Sequence, residues 1–479
     1  MNLLSSFRVT QEPLFKQVAN TVEKMIHDGV LRPGERTPSL RAVCDQHGVS
    51  MSTAVQAFVE LESRGLVEPR HKSGFFVKAP PKVIMDLPGP PRVPMSGSLG
   101  NRHASLFDAV VAGNVIALGG AVPSPEILPT AKLNRMLSEK ARNAGARGVM
   151  YDLPPGSEML RRQISKRMTK GGAVVAPADI ITTCGATEAL MLCLRAVTKP
   201  GDVVAVETPT YFGILHVLEA LALRALEIPT DARTGLRLDV LESVLKNQPV
   251  NACIVLPAFS NPLGASMPDD AKQRLVGMLK AREIPLIEDD VFGELPFGPK
   301  RGRTCKSFDD SGLVLFCSSF SKTLAPGYRV GWVVPGRYYH AVRIAKLTHT
   351  MATATLPELA IASFLADGGY DHWLRSARAI YKMNVMRMRR AILEEFPAGT
   401  TVTTPQGGFL VWVTMPVTVN ALELYDRALA KGISIAPGQL FSLEPRYANC
   451  IRISCGEPWS PRIEGAVRTL GSLAKRQVK

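Results

Sequence analysis

Residues 318–329 read Ser318-Ser319-Phe320-Ser321-Lys322-Thr323-Leu324-Ala325-Pro326-Gly327-Tyr328-Arg329, a lysine set among hydroxyls with an arginine seven residues beyond it. A lysine whose neighbours favour the neutral amine can form a Schiff base with a carbonyl. An arginine together with hydroxyls can grip a phosphate dianion. The stretch therefore suits a phosphorylated carbonyl compound. A generic basic loop would carry the same charges, so the reading depends on what surrounds it.

Around this stretch, apolar strand-like runs alternate with amphipathic helical segments, the pattern of an α/β sheet with parallel strands. The runs lie at 180–183, 203–207, 252–256, 286–289 and 313–317. Open α/β sheets bind ligands at the carboxyl ends of their strands. There the chain places Thr183-Cys184-Gly185-Ala186-Thr187-Glu188-Ala189, whose small residues let backbone N–H groups approach an anion at a helix start. Glu207-Thr208-Pro209-Thr210-Tyr211 follows with an aromatic ring, and Ser260-Asn261-Pro262-Leu263-Gly264 with an amide on a fixed turn. Ile287-Glu288-Asp289-Asp290 puts carboxylates where a buried strand ends. Each segment alone reads equally well as a structural turn or as packing. Five in this order do not.

In these segments the chain resembles the fold-type I pyridoxal-phosphate enzymes, the class I/II aminotransferase-like superfamily, over about residues 115–475. The resemblance implies pyridoxal 5'-phosphate as cofactor, with Lys322 as its Schiff-base lysine. It implies that Tyr211 stacks on the cofactor ring and Asn261 bonds its phenolic oxygen. Gly185, Ala186, Thr187, Ser319, Ser321 and Arg329 would cup the phosphate. A carboxylate keeps the pyridine nitrogen protonated, so that the ring can act as an electron sink. Asp289 and Asp290 both stand where that carboxylate is needed, and the family register favours Asp289. Arg452, in Cys450-Ile451-Arg452-Ile453-Ser454, matches the arginine that grips a substrate or effector carboxylate. Tyr151, in Tyr151-Asp152-Leu153-Pro154-Pro155-Gly156, matches the tyrosine that reaches a partner subunit's cofactor, which implies a homodimer. One position departs from the family: Phe292 stands where a tyrosine usually donates to the phenolic oxygen, and phenylalanine cannot donate. Efficient transamination is thereby called into question.

A break in composition separates this block from a small front module. Six of the sixteen residues at 79–94 are proline, which has a fixed φ and no N–H, so the segment reads as a linker rather than a helix or central strand. The expected division is residues 1–78, a linker over 79–108, and a block over 109–479.

In the front module Leu14, Phe15, Val18, Val22, Met25 and Ile26 recur at helical spacing, with Gly29 as a stop. A second helix begins near Ser39, Gly48 makes a tight turn, and Ser50 caps a third helix carrying Val55, Phe58, Val59 and Leu61. Two short helices around a glycine turn describe a helix-turn-helix. Val67 and the 75–77 strand flank a basic tip at Arg70 and Lys72, a β-wing.

The module resembles the GntR-type winged helix from Pro13 through Lys72-Ser73-Gly74-Phe75-Phe76-Val77, with Thr37 in place of the usual apolar residue. That resemblance implies DNA binding. Ser50, Ser52, Thr53 and Gln56 would meet base edges, while Arg36, Ser39, Arg41, Arg70 and Lys72 would hold the backbone.

The whole layout resembles the MocR family of transcriptional regulators, which implies promoter DNA with two half-sites, a head-to-tail homodimer and an amino-compound effector. A catalytically active aminotransferase carrying a DNA-binding module is the alternative. The fold class expected is therefore a winged helix-turn-helix joined to an α/β aminotransferase-like domain, with a smaller C-terminal α+β subdomain built from the runs at 408–414 and 450–454.

Composition agrees with a folded protein. The chain has 479 residues, 46% hydrophobic and 21% charged, and no apolar run long enough to span a bilayer. No secretory leader is legible, so a cytoplasmic protein is expected. Eight cysteines without CxxC spacing read as buried reduced thiols, and no metal site is expected. The net charge of +15 invites nucleic acid, yet the first 78 residues carry ten basic and eight acidic side chains. Charge alone does not locate the DNA-binding part.

Overall fold

The computed structural model describes residues 13–27, 30–70, 73–78 and 115–478. The chain divides into two compact units, Met1–Ile84 and Met85–Lys479. Gly29, Lys72 and the proline-rich stretch at 79–108 lie outside the described residues.

The front unit holds α1 (Leu14–His27), α2 (Leu40–His47) and α3 (Met51–Ser63), followed by the antiparallel pair β1 (Val67–Arg70) and β2 (Gly74–Val77). Serines start two of the helices. The Ser39 hydroxyl accepts from the Ala42 N–H at 3.1 Å, and that of Ser50 from the Thr53 N–H at 3.2 Å. Gly48 closes α2 at φ +63°, a left-handed conformation that glycine takes without steric penalty. Val18, Val22, Val43, Ala54, Ala57, Phe58 and Leu61 form the core between the helices. Thr37 is buried, and its hydroxyl donates to the Phe75 carbonyl at 3.0 Å, tying the wing to the loop before α2.

Two apolar positions on α3 do not behave as the helical pattern suggested. Val55 and Val59 are 41% and 54% exposed, whereas Phe58 and Leu61 are fully buried. At 100° per residue, Ala54, Ala57, Phe58 and Leu61 share one side of the helix, and Val55 and Val59 fall on the other. There they flank Ser52 and Gln56, both exposed.

The second unit is built on an eight-stranded sheet. In chain order, after the short β3 (Ile116–Ala117), its strands are β4 (Ile181–Thr183), β5 (Val203–Thr208), β6 (Arg224–Asp231), β7 (Gly235–Leu236), β8 (Ala252–Val255), β9 (Leu286–Asp289), β10 (Val314–Ser319) and β11 (Gly331–Val334). They lie side by side as β4-β11-β10-β9-β8-β5-β6-β7. The central run from β10 to β6 is parallel, while β11 and β7 run against their neighbours. Every residue of β4, β5, β8, β9 and β10 is buried, as strands covered by helices on both faces must be.

Beyond the long helix Gly369–Glu395 a second, antiparallel sheet contains β12 (Thr401–Val402), β13 (Leu410–Thr414), β15 (Ala436–Pro437) and β16 (Cys450–Ser454); β14 (Ile433–Ser434) pairs instead with β3. This is the smaller α+β part. All eight cysteines are free thiols, six of them buried and Cys44 and Cys184 half-buried.

The caps give a direct check on the front unit. Ser50→Ala removes the acceptor at the start of α3 and should destabilise that helix by about 1 kcal/mol. Amide hydrogen exchange in the full chain should show α3 opening several-fold more often, with the large sheet unchanged.

Candidate functional site

The five segments singled out in the sequence meet at one end of the large sheet. Parallel pairing of β9 and β10 sets Asp289 opposite Cys317, so the chain that leaves β10 at Ser319 carries Lys322 past the end of β9. Side chains alternate across a strand, so Asp289 points away from Glu288 and Asp290. The carboxylate of Glu288 accepts from the backbone N–H groups of Cys305 and Lys306 at 2.8 and 2.9 Å. Asp290 pairs with Arg301 at 2.7 Å. Asp289 instead interacts electrostatically with Lys322 and Tyr211, and its Oδ1 has no hydrogen-bond partner among the described residues.

Burial and like charges perturb this cluster, as in sites built for chemistry. Burial first, and then the charge of Asp290, push the Asp289 carboxyl up to about 7. Burial, reinforced by the positive charge of Arg452, pushes the Lys322 amine down to about 8, with Asp289 pulling the other way. The amine donates to the Ala121 carbonyl at 2.6 Å. Tyr211, at the start of the helix Phe212–Ala220, has its hydroxyl raised by burial and by Asp289.

Gly185 precedes the helix Ala186–Val197 at φ +82°. A Cβ there would fall 2.5 Å from Arg329 Nη2, so glycine is required for the guanidinium to lie across the helix start. Arg329 itself is left-handed at φ +53° and donates to the Cys184 carbonyl at 3.2 Å and the Ser321 hydroxyl at 3.4 Å. The Ser319 hydroxyl accepts from the Ser321 N–H at 3.3 Å. The first N–H groups of a helix have no intrahelical acceptor. With Arg329 and the serines beside them, they form an anion cradle.

Arg452 is 1% exposed and sits on β16. It donates to Asn261 Oδ1 at 2.9 Å and to the Gly119 carbonyl, and it lies 5.2 Å from the Phe441 ring centroid. Among the described residues no carboxylate pairs with it, and its Nε has no partner. Burial lowers the guanidinium to about 10.

Tyr151 is 73% exposed, beside exposed Val149 and Met150. Phe292 is buried in the core, edge-on to Phe409 at 5.3 Å. The carbonyls of Gly119 and Ala121, which hold Arg452 and Lys322, were not legible as site groups, although the Gly119-Gly120 pair marks a place of close backbone approach.

On the front unit, Arg36, Arg41, Ser52, Gln56 and Arg70 are exposed, and Thr53 is half-buried. Arg70 stacks on Phe76 at 4.3 Å and pairs with Glu68 at 3.1 Å. Ser39 and Ser50 serve as helix caps.

The lysine environment is testable without any ligand. Amine labelling of Lys322, followed by mass spectrometry against pH, should rise with a midpoint near 8, where an ordinary lysine rises near ~10.4. Arg452→Met removes a positive neighbour and should move the midpoint upward; an unchanged midpoint would contradict the coupling.

Comparisons with known proteins agree with this geometry. Residues 123–468 match the family Aminotransferase class I and II, and residues 14–77 match Bacterial regulatory proteins, gntR family. An Escherichia coli (strain K12) relative, the uncharacterized HTH-type transcriptional regulator YjiR, is 36% identical over 97% of this chain and 99% of its own length. Aromatic-amino-acid aminotransferase 1 of Thermococcus litoralis is 29% identical over 78% of this chain and 91% of its own. Among solved structures, the alpha-aminoadipate aminotransferase of Thermus thermophilus, complexed with N-(5'-phosphopyridoxyl)-L-leucine, superposes with a TM-score of 0.74 at 27% identity. That match covers 79% of this chain and 96% of the other. The chain thus belongs to the aminotransferase class I and II family, and it carries a gntR-family regulatory domain in front.

Proposed function

We propose that this chain is a MocR-type transcriptional regulator of the cytoplasm, which binds promoter DNA through its front unit and holds pyridoxal 5'-phosphate in its large unit. The observation that carries the reading is one chain with both a capped helix-turn-helix and a desolvated Lys322 beside the buried Asp289 carboxyl, whose Oδ1 has no partner among the described residues.

The residues fit that cofactor. Lys322 would carry the covalent link. Asp289 would hold a proton on the ring nitrogen: each of the two aspartates keeps one buried oxygen without a partner among the described residues, but Asp290 is bound to Arg301 through the other, whereas Asp289 is the one that acts on Lys322. Gly185, Ala186, Thr187, Ser319, Ser321 and Arg329 would cradle the phosphate, and Tyr211 would cover the ring. Asn261, whose Oδ1 already accepts from Arg452, would donate through Nδ2 to the phenolic oxygen. Bound, the cofactor supplies a carbonyl that condenses with amines and a ring that withdraws electrons from them.

Around it, the chain's own groups select the ligand. Arg452, a buried cation without a carboxylate partner, would bind an effector's carboxylate and orient its amine toward Lys322. A working dimer would bring in Tyr151 of a second copy, and the exposed apolar run at 149–153 supports such an interface. Two front units would then read two half-sites, with Ser52, Thr53 and Gln56 toward base edges and Val55 and Val59 suited to thymine methyl groups. Arg36, Arg41, Arg70 and Lys72 would hold phosphates. Differential affinity of the effector for two arrangements of the dimer would change operator binding.

Phe292 favours sensing over turnover. Two experiments separate these outcomes. In the first, visible absorption of the cofactor-loaded protein is followed while amines and amino acids are added. A shift that one compound causes and that persists supports the regulator; steady release of an oxo acid supports the aminotransferase. Lys322→Ala should abolish the shift while DNA binding stays within about threefold in the same buffer. In the second, Phe292→Tyr restores a hydroxyl donor and should raise any residual transamination by about tenfold, the scale of one charge-assisted hydrogen bond.

A further inference from the structure

Behind the strand end that carries Asp289, a chain of buried charges runs away from the Lys322 pocket. Arg301 Nη2 donates to Asp290 Oδ2 at 2.7 Å, and its Nη1 lies 3.4 Å from Glu294 Oε1. Arg167 takes the other oxygen of Glu294, reaches Asp371 at 3.1 Å and stacks over the Tyr370 ring at 4.2 Å. The Tyr370 hydroxyl donates to the Thr323 hydroxyl at 2.8 Å. The network leaves from the neighbour of Asp289 and returns to the neighbour of Lys322. None of the cofactor roles uses it.

Its geometry addresses a problem that adjacent carboxylates create. Asp289 ends a buried strand and Asp290 follows it directly, and only Asp289 acts on Lys322. The side chain of Asp290 is 2% exposed and that of Arg301 10%. The carboxylate fits so closely under its own loop that a Cβ on Gly293 would fall 2.1 Å from Asp290 Oδ1. A buried charge that loses its partner must reorient, neutralise or pull the backbone with it. Here the backbone concerned is also that of Asp289. Arginine suits the position because its planar fork serves two carboxylates at once.

We propose that Arg301 is a positioning residue for the cofactor pocket: by anchoring the Asp290 carboxylate on the Glu294 side of the strand end, it leaves Asp289 as the one carboxylate directed at Lys322. The proposal rests on the cofactor reading given above. It assigns Arg301 no contact with the cofactor; its effect passes through the placement of Asp289.

The test uses full-length protein stripped of cofactor and titrated with pyridoxal phosphate, read by tryptophan fluorescence quenching and visible absorbance, with a thermal melt of each variant. R301M should raise Kd by about tenfold or more, a coupling of the size found within one ion network. R301K, which keeps the charge, should lose less. In R301M/D290N the carboxylate that needs holding is gone, and Kd should return to within about threefold of wild type. A merely structural arginine would show no such rescue. Wild-type affinity in R301M, or a double variant that melts normally and still binds as weakly as R301M, would overturn the proposal. If R301M does not fold, D290N decides: affinity within about threefold supports it, and a tenfold loss overturns it by making Asp290 itself the cofactor contact. A wild-type protein that takes up no pyridoxal phosphate would overturn the cofactor reading and this proposal together.

Discussion

The large unit depends on two opposite charges, Asp289 and Lys322, held out of water at the ends of neighbouring parallel strands. Taking an ionised group out of water is unfavourable unless a partner compensates. Here compensation is partial by construction. Lys322 lowers the Asp289 carboxyl, yet burial and Asp290 raise it further; Asp289 supports the Lys322 ammonium, yet burial and Arg452 outweigh that support. Burial thus brings the two groups toward neutral pH from opposite sides, the amine from above and the carboxyl from below. The β9–β10 register and the anchoring of Glu288 and Asp290 on the opposite side keep that balance in place.

Charge at this cluster also decides what can bind there. Arg329, Arg452 and Asp289 all act on Lys322, so cations outnumber anions around it. Arg329 lies across a helix start, where the backbone dipole adds further positive potential. Arg452 is buried, its hydrogen-bond acceptors are neutral oxygens, and no carboxylate pairs with it among the described residues. A ligand with two separated anionic groups, one at each arginine, and a reactive centre between them matches this arrangement. Neither a neutral ligand nor a second cation does.

Most of this was legible in the sequence because the site groups sit at strand ends, where a hydrophobic run stops and a short polar motif begins. The lysine, the glycine before the first helix and the asparagine announce themselves that way, whereas Arg452, in the middle of β16, was legible only through the family resemblance. What could not be read is what depends on three-dimensional facing. Asp289 and Asp290 are indistinguishable as letters; strand alternation and the distant Arg301 separate them. Val55 and Val59 look like core positions by spacing, but four smaller or better placed side chains already fill that face of α3. The carbonyls that hold Lys322 and Arg452 belong to Gly119 and Ala121, and a backbone oxygen leaves no trace in residue type. The antiparallel β11, inserted between β10 and β4, likewise follows from chain reversal after Arg329, not from its apolar composition.

Phe292 makes a mechanical connection between the two sheets. A hydroxyl at that buried position would need a partner, and without one it would destabilise the core. The phenyl ring instead packs edge-on against Phe409, a residue that immediately precedes β13. β13 pairs along its length with β16, setting Trp412 opposite Arg452. The ring three residues after Asp289 is thus joined, through one aromatic contact and one strand pair, to Arg452. Close-packed interiors transmit displacements instead of absorbing them. Through that contact and that pairing the position of Arg452 is linked mechanically to the loop that ends β9.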